Sequence, residues 1–107
     1  MAIIKLADGK EMIARYKERR EIILNDNYDS SILTLSERFS KAEIVQLLDQ
    51  TNCENFRSYF GMDADNNIRL ILVGVDADDN DLLMNEIIIE NGLRCPSMCP
   101  PSSALNE

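Results

Sequence analysis

The 107-residue chain contains no histidine and no tryptophan. Without imidazole it lacks the commonest general base, the commonest metal ligand and the usual switch near neutral pH. A Ser-His-Asp or Cys-His system therefore cannot be built from one copy of the chain. No glycine-rich, phosphate-cradling loop is present either. No stretch approaches the roughly 20 apolar residues that cross a bilayer. The longest apolar run, Leu70-Ile71-Leu72-Val73, is only strand length. The opening residues, Met1 to Asp8, have no basic segment leading into a long apolar one, so no signal peptide and a cytoplasmic location are expected. Basic residues are scarce, 11 against 19 acidic ones, for a net charge of −8. That argues against nucleic-acid binding, which Lys and Arg drive by neutralising phosphates.

The apolar share, 45%, is that of an ordinary globular protein. This length suits one domain with its own core. Charge is unevenly spread. Lys10, Arg15, Lys17, Arg19 and Arg20 outnumber Glu11 and Glu18 in residues 10–20. In residues 63–90, Asp63, Asp65, Asp76, Asp78, Asp79, Asp81, Glu86 and Glu90 face Arg69 alone. The bland interpretation is two solvated faces. The sharper one is head-to-tail association, with Arg15, Arg19 and Arg20 of one copy meeting Asp76, Asp78, Asp79 and Asp81 of another and weakening as salt rises.

Patterning predicts two helices and then strands. Asp8 followed by Glu11 resembles a capping box that opens a helix running to about Leu24, with Met12, Ile13, Tyr16, Ile22 and Ile23 apolar. Residues 25–31 form a polar loop. Ser40 and Glu43 make a second box, Phe39 and Ile44 a hydrophobic staple, and Ile44, Val45, Leu47 and Leu48 an apolar face, with Asn52 as C-cap. Strands are expected at 56–62, 68–75 and 82–90, with turns at 63–67 and 76–81 and a type I′ hairpin at Asn91-Gly92. The fold class is α+β: two N-terminal helices packed on one face of a C-terminal antiparallel meander of about three strands. Residues 1–94 form the domain and 95–107 a Pro/Ser/Cys tail.

The tail carries the most direct chemical signal. Cys95 and Cys99 are four apart, and Pro96, Pro100 and Pro101 forbid a helix or a central strand there. With Cys53 the chain has three thiols, open to a zinc site completed by another donor, to a Cys95–Cys99 disulfide, or to plain reduced thiols. The pair lacks the Cys-x-x-Cys helix start of thiol oxidoreductases. The cysteines are expected near the surface, on a tail ordered only if a bond, a metal or a neighbouring chain engaging Pro100 and Pro101 holds it. Asp63-x-Asp65-x-Asn67 and Asp76-x-Asp78-x-Asn80 match the first ligands of a calcium loop, but lack its sixth-position Gly and twelfth-position Glu. Arg57 and Tyr59 share a strand face by parity, and Arg69 on the next strand could join them as an anion grip.

The segments Arg57-Ser-Tyr59-Phe60-Gly61, Leu72-Val-Gly-Val-Asp76-Ala77 and Cys95-Pro96 with Cys99 resemble a group of small Bacteroidota-type bacterial proteins of no established activity. That resemblance implies that the terminal cysteines belong to a pattern, and it supplies no catalytic residues. The expected function is therefore a non-catalytic interaction or self-assembly module whose partner is another protein or a second copy of the chain. The alternative is a small metal- or thiol-redox-responsive protein.

Overall fold

The computed structural model describes residues 3–29, 32–90 and 92–107. Helix α1 spans Leu6–Leu24 and ends in a 3-10 turn, Asn25–Asn27. Then come β1 (Ser36–Arg38), α2 (Lys41–Leu48), β2 (Asn55–Met62), β3 (Ile68–Val75), β4 (Ile88–Ile89) and β5 (Leu93–Cys95). Among the described residues they form two antiparallel sheets, one ordered β2-β3-β4 and a second pairing β1 with β5. Among the described residues, no helix is long and apolar enough to cross a membrane.

The meander is built by two copies of one turn. In Asp63-Ala-Asp-Asn66-Asn67, Asn66 N–H donates to Asp63 O and Asp63 N–H to Asn67 O. In Asp76-Ala-Asp-Asp79-Asn80, Asp79 and Asp76 N–H bond in the same way. Asn66 and Asp79 take the left-handed conformation, with φ of 67° and 69°. This is the three-residue hairpin loop closed by a bulge, for which Asn and Asp are suited. The expected third strand is cut short. Val75 meets Asp81 and Leu82 N–H reaches Gly74 O. Residues 83–87 then leave the ladder, and Ile88 rejoins opposite Val73. Asn91 lies outside the described residues, so the hairpin expected there is not described.

Helix α2 starts as its sequence predicts: Ser40 Oγ accepts from Glu43 N–H at 3.5 Å. Its C-cap is Asp49 rather than Asn52. Leu47 is fully buried with Leu72 and Ile89, and Phe39, Ile44 and Ile87 pack around them. Leu48 and Val45 stay exposed, so the apolar face is narrower than its spacing suggests.

Helix α1 departs most from expectation. It begins at Leu6 with Lys5 as N-cap and no side-chain cap, so Asp8 lies inside the first turn, where it favours the helix dipole. It does not lie on the sheet. Met12, Ile22 and Ile23 are exposed. The segment 32–35 intervenes, and α1 binds its carbonyls through Tyr16 Oη to Thr34 O and Arg20 Nε to Leu33 O, each at 2.5 Å. Burial pushes the Tyr16 phenol above its ordinary value, opposed by the nearby Arg20 charge.

A buried ion pair joins the two sheets. The Glu37 side chain on β1 is 0% exposed; its Oε2 accepts from Leu70 N–H at 2.8 Å, and its Oε1 faces Arg69 Nε at 3.5 Å. Arg69 also donates to Gly92 O at 2.9 Å. A Cβ on Gly92 would sit 2.9 Å from Glu37 Oε1 and 3.0 Å from Phe39, so only glycine lets the chain pass there.

Two stability measurements check this account. Leu72→Ala should lower unfolding free energy by about 2–5 kcal/mol through cavity formation. Glu37→Ala should cost about 1–3 kcal/mol by orphaning the Leu70 amide. Denaturant midpoints at the wild-type value would remove either side chain from the core.

Candidate functional site

The tail is held to β5 by a Cys95–Cys99 disulfide. Cys95 is the last residue of β5 and only 5% exposed, against the expectation of a surface thiol, because β1 and Thr34 close over it. Leu35 N–H and Thr34 Oγ1 both donate to Cys95 O, at 2.7 and 3.0 Å. Beyond the bond, Asn106 folds the chain end back. Its Oδ1 accepts from Ser103 N–H and its Nδ2 donates to Pro101 O. Lys17 Nζ then donates to Asn106 O, which fastens the tail to α1. Between them lies a cavity of about 360 Å³, lined by Ile13, Lys17, Leu35, Cys95, Pro100 and Leu105. Pro100 and Pro101 also line a second cleft of about 450 Å³ beside Arg38 and Met98.

The three cysteines do not assemble into a zinc site. In the disulfide, Cys95 and Cys99 offer no thiolate, and Cys53 stands apart with its thiol toward Asn55 O at 3.2 Å. Among the described residues, no group of three His, Cys, Asp or Glu side chains is placed to hold a metal ion.

The calcium-like spacing is explained by the turns themselves. Asp63 Oδ1 accepts from Asp65 and Asn67 N–H, at 3.0 and 2.9 Å. Asp76 Oδ1 accepts from Asp78 and Asn80 N–H, both at 2.9 Å. The carboxylates are turned onto their own backbone rather than toward a shared ion. Those bonds, from Asn67 and Asn80 first, hold both carboxyls below their ordinary value.

Arg57 and Tyr59 come together as parity predicts, but with acids rather than an open anion site. Arg57 bridges Asp79 and Asp81, and the Tyr59 hydroxyl donates to Asp81. Arg69 is elsewhere, bound to Glu37 and to the carbonyls of Glu90 and Gly92. The charge asymmetry is reshaped in the same way. Arg20 is 5% exposed, inside the molecule with Glu21 and Leu33 O. Arg15 pairs with Glu11 along α1. Asp79 and Asp81 are engaged by Arg57, and Asp76 caps its turn. Of the residues in the expected head-to-tail patches, Arg15, Arg19, Asp78 and Asp79 remain exposed, whereas Arg20 is buried.

The feature that sequence reading missed is the outer edge of the meander. β2 pairs with β3 alone among the described residues. Phe56, Tyr59, Phe60 and Met62 on it are all exposed, Phe60 to 79%. Aromatic enrichment marked the strand, but nothing local tells an outer strand from an inner one. Compared with protein-family models, curated proteins and solved structures, the chain matches none.

The two Asp turns predict a pH dependence. A carboxyl held below its ordinary value of 3.8 stabilises the fold above that pH, and the contribution is lost as pH falls through the lower folded value. Denaturant midpoints should drop between about pH 5 and pH 2. The Asp63→Ala/Asp76→Ala double variant should show a shallower drop, and an identical slope would remove these turns as its source.

Proposed function

We propose that the chain is a non-catalytic interaction module that assembles with a protein partner, foremost itself. The supporting observation is its surface. The folded chain exposes 8084 Å², whereas a compact monomer of its mass exposes roughly 6,000 Å². Its radius of gyration is 15.7 Å, against about 13 Å for a compact domain of this length. Large apolar side chains are part of that surface: Phe60, Met84, Ile22, Ile23 and Met62 are all well exposed. Surface of this kind marks association sites. Neither nucleic acid nor membrane is its natural partner, given a net charge of −8. The proposal keeps the likeness to the Bacteroidota-type group, whose shared segments here are β2, β3 and the β5–tail junction.

The Cys95–Cys99 bond supports a second reading, a thiol-redox-responsive protein. A dithiol reductant would convert the bond to two thiols while itself becoming a disulfide, freeing residues 96–107 from β5. In a cytoplasm, where thiols are kept reduced, such a bond would be of the transient, responsive kind.

Sedimentation equilibrium with and without reductant tests both readings. Assembly predicts a mass above the 12.2 kDa of one chain. A single-chain mass at every concentration would overturn it. A mass or tail-protease sensitivity that changes on reduction would favour the second reading.

A further inference from the structure

The parity of the meander identifies which surface is covered. Asp63 N–H bonds to Asn67 O, and the register continues unbroken from Met62 opposite Ile68 to Asn55 opposite Val75. Odd-numbered residues of β2 therefore exchange hydrogen bonds with β3, and the N–H and C=O groups of Phe56, Ser58, Phe60 and Met62 point outward. On the far side of β3 the corresponding groups are occupied. Ile68 N–H bonds Ile32 O, Leu70 N–H bonds Glu37, Leu72 pairs with Ile89, and Gly74 O takes Leu82 N–H. On β2 they meet no other strand among the described residues. Natural sheets block such edges with Lys, Pro, bulges or short strands. β2 is eight residues long and has neither Lys nor Pro, and its one charge, Arg57, is engaged by Asp79 and Asp81.

We propose that β2 pairs antiparallel with β2 of a second copy about a two-fold axis at Ser58, fusing the two meanders into one continuous sheet. The proposal rests on the assembly reading above and names its partner. In this register Ser58 faces Ser58 of the second copy. Phe56 faces Phe60 on one face of the sheet, and Arg57 faces Tyr59 on the other, each twice by symmetry. Even positions meet even positions, so Phe56, Ser58 and Phe60 supply about six inter-chain backbone hydrogen bonds. No two like charges are opposed along the strand. The contact is isologous and closes as a dimer rather than growing into a fibre. A standard interface takes about 800 Å² from each partner, within the surface excess of about 2,000 Å² per chain.

Sedimentation equilibrium of the wild type and of Ser58→Pro and Ser58→Lys, with folding followed by circular dichroism, tests the pairing. Proline at 58 removes only an outward N–H, so the β2–β3 ladder survives. A wild-type dimer is expected, with Kd raised ~10-fold or more in either folded variant. Ser58→Cys in a Cys53→Ser background should form a covalent dimer with a short bifunctional thiol cross-linker, because directly opposed residues of a hydrogen-bonded pair hold their Cβ atoms about 5.5 Å apart. Raising salt should tighten the dimer, since two acidic chains repel and no opposite charges pair across the axis, Arg57 being held by Asp79 and Asp81 of its own chain. Folded Ser58 variants that assemble like wild type, with no cross-link, would overturn the edge pairing and leave assembly by another surface standing. Loosening of the dimer by salt would also overturn it, in favour of a charge-mediated contact. A monomeric wild type would end both proposals.

Discussion

The structure turns on one buried carboxylate. Glu37, on a strand of only three residues, reaches across to Leu70 N–H on β3 and faces Arg69. β4 pairs Ile88 and Ile89 with Val73 and Leu72, and the Leu70 amide is taken by Glu37. The carboxylate therefore acts as a missing stretch of strand. Arg69 in turn binds the carbonyls of Glu90 and Gly92, which ties the return from β4 to β5 onto the same point. An unpaired charge in this position would cost several kcal/mol, which is why acid, guanidinium, amide and glycine occur together. The two small sheets are held in fixed relation by this contact rather than by a large apolar interface.

A second constraint acts through the repeated Asp turn. Each opening Asp gathers two backbone N–H groups and sets a three-residue bulged loop, which fixes the register on both sides. Register then decides direction. It places Leu72 toward Leu47 and the core, Arg57 and Tyr59 toward Asp81, and the amides of Phe56, Ser58 and Phe60 toward open solvent. Four of the eight acids in residues 63–90 thus serve turn geometry, as Asp63 and Asp76, or hold Arg57, as Asp79 and Asp81. Asp65, Asp78, Glu86 and Glu90 stay exposed beside them, and the aromatic outer strand adds an apolar surface of its own.

The tail shows the same economy of apolar packing. It is anchored by a covalent bond at Cys95, by Asn106 folding onto Pro101 and Ser103, and by Lys17 from α1. Helix α1 is likewise fixed by Tyr16, Arg20 and Lys17, each donating to a carbonyl, while Ile22 and Ile23 remain in water. Directional polar contacts can position an element without burying it, and this leaves the chain its large exposed surface.

The sequence by itself determined what is encoded within a few residues. Ser40 and Glu43 start α2, the Asp-Ala-Asp turns close the ends of β2 and β3, and the apolar run 70–73 forms the central strand, because caps, bulged turns and strand propensity are local properties. Tertiary structure decided the rest. β1 has no alternation to announce it and exists because Leu93–Cys95 lies beside it. Arg69 is drawn from Arg57 by a distant Glu37, Arg20 is buried by the carbonyl of Leu33, and Cys95 is covered by Thr34 and Leu35. The open edge of β2 was equally invisible in the sequence. Whether a strand lies at the edge depends on which others fill the neighbouring places, and β5, far along the chain, paired with β1 instead.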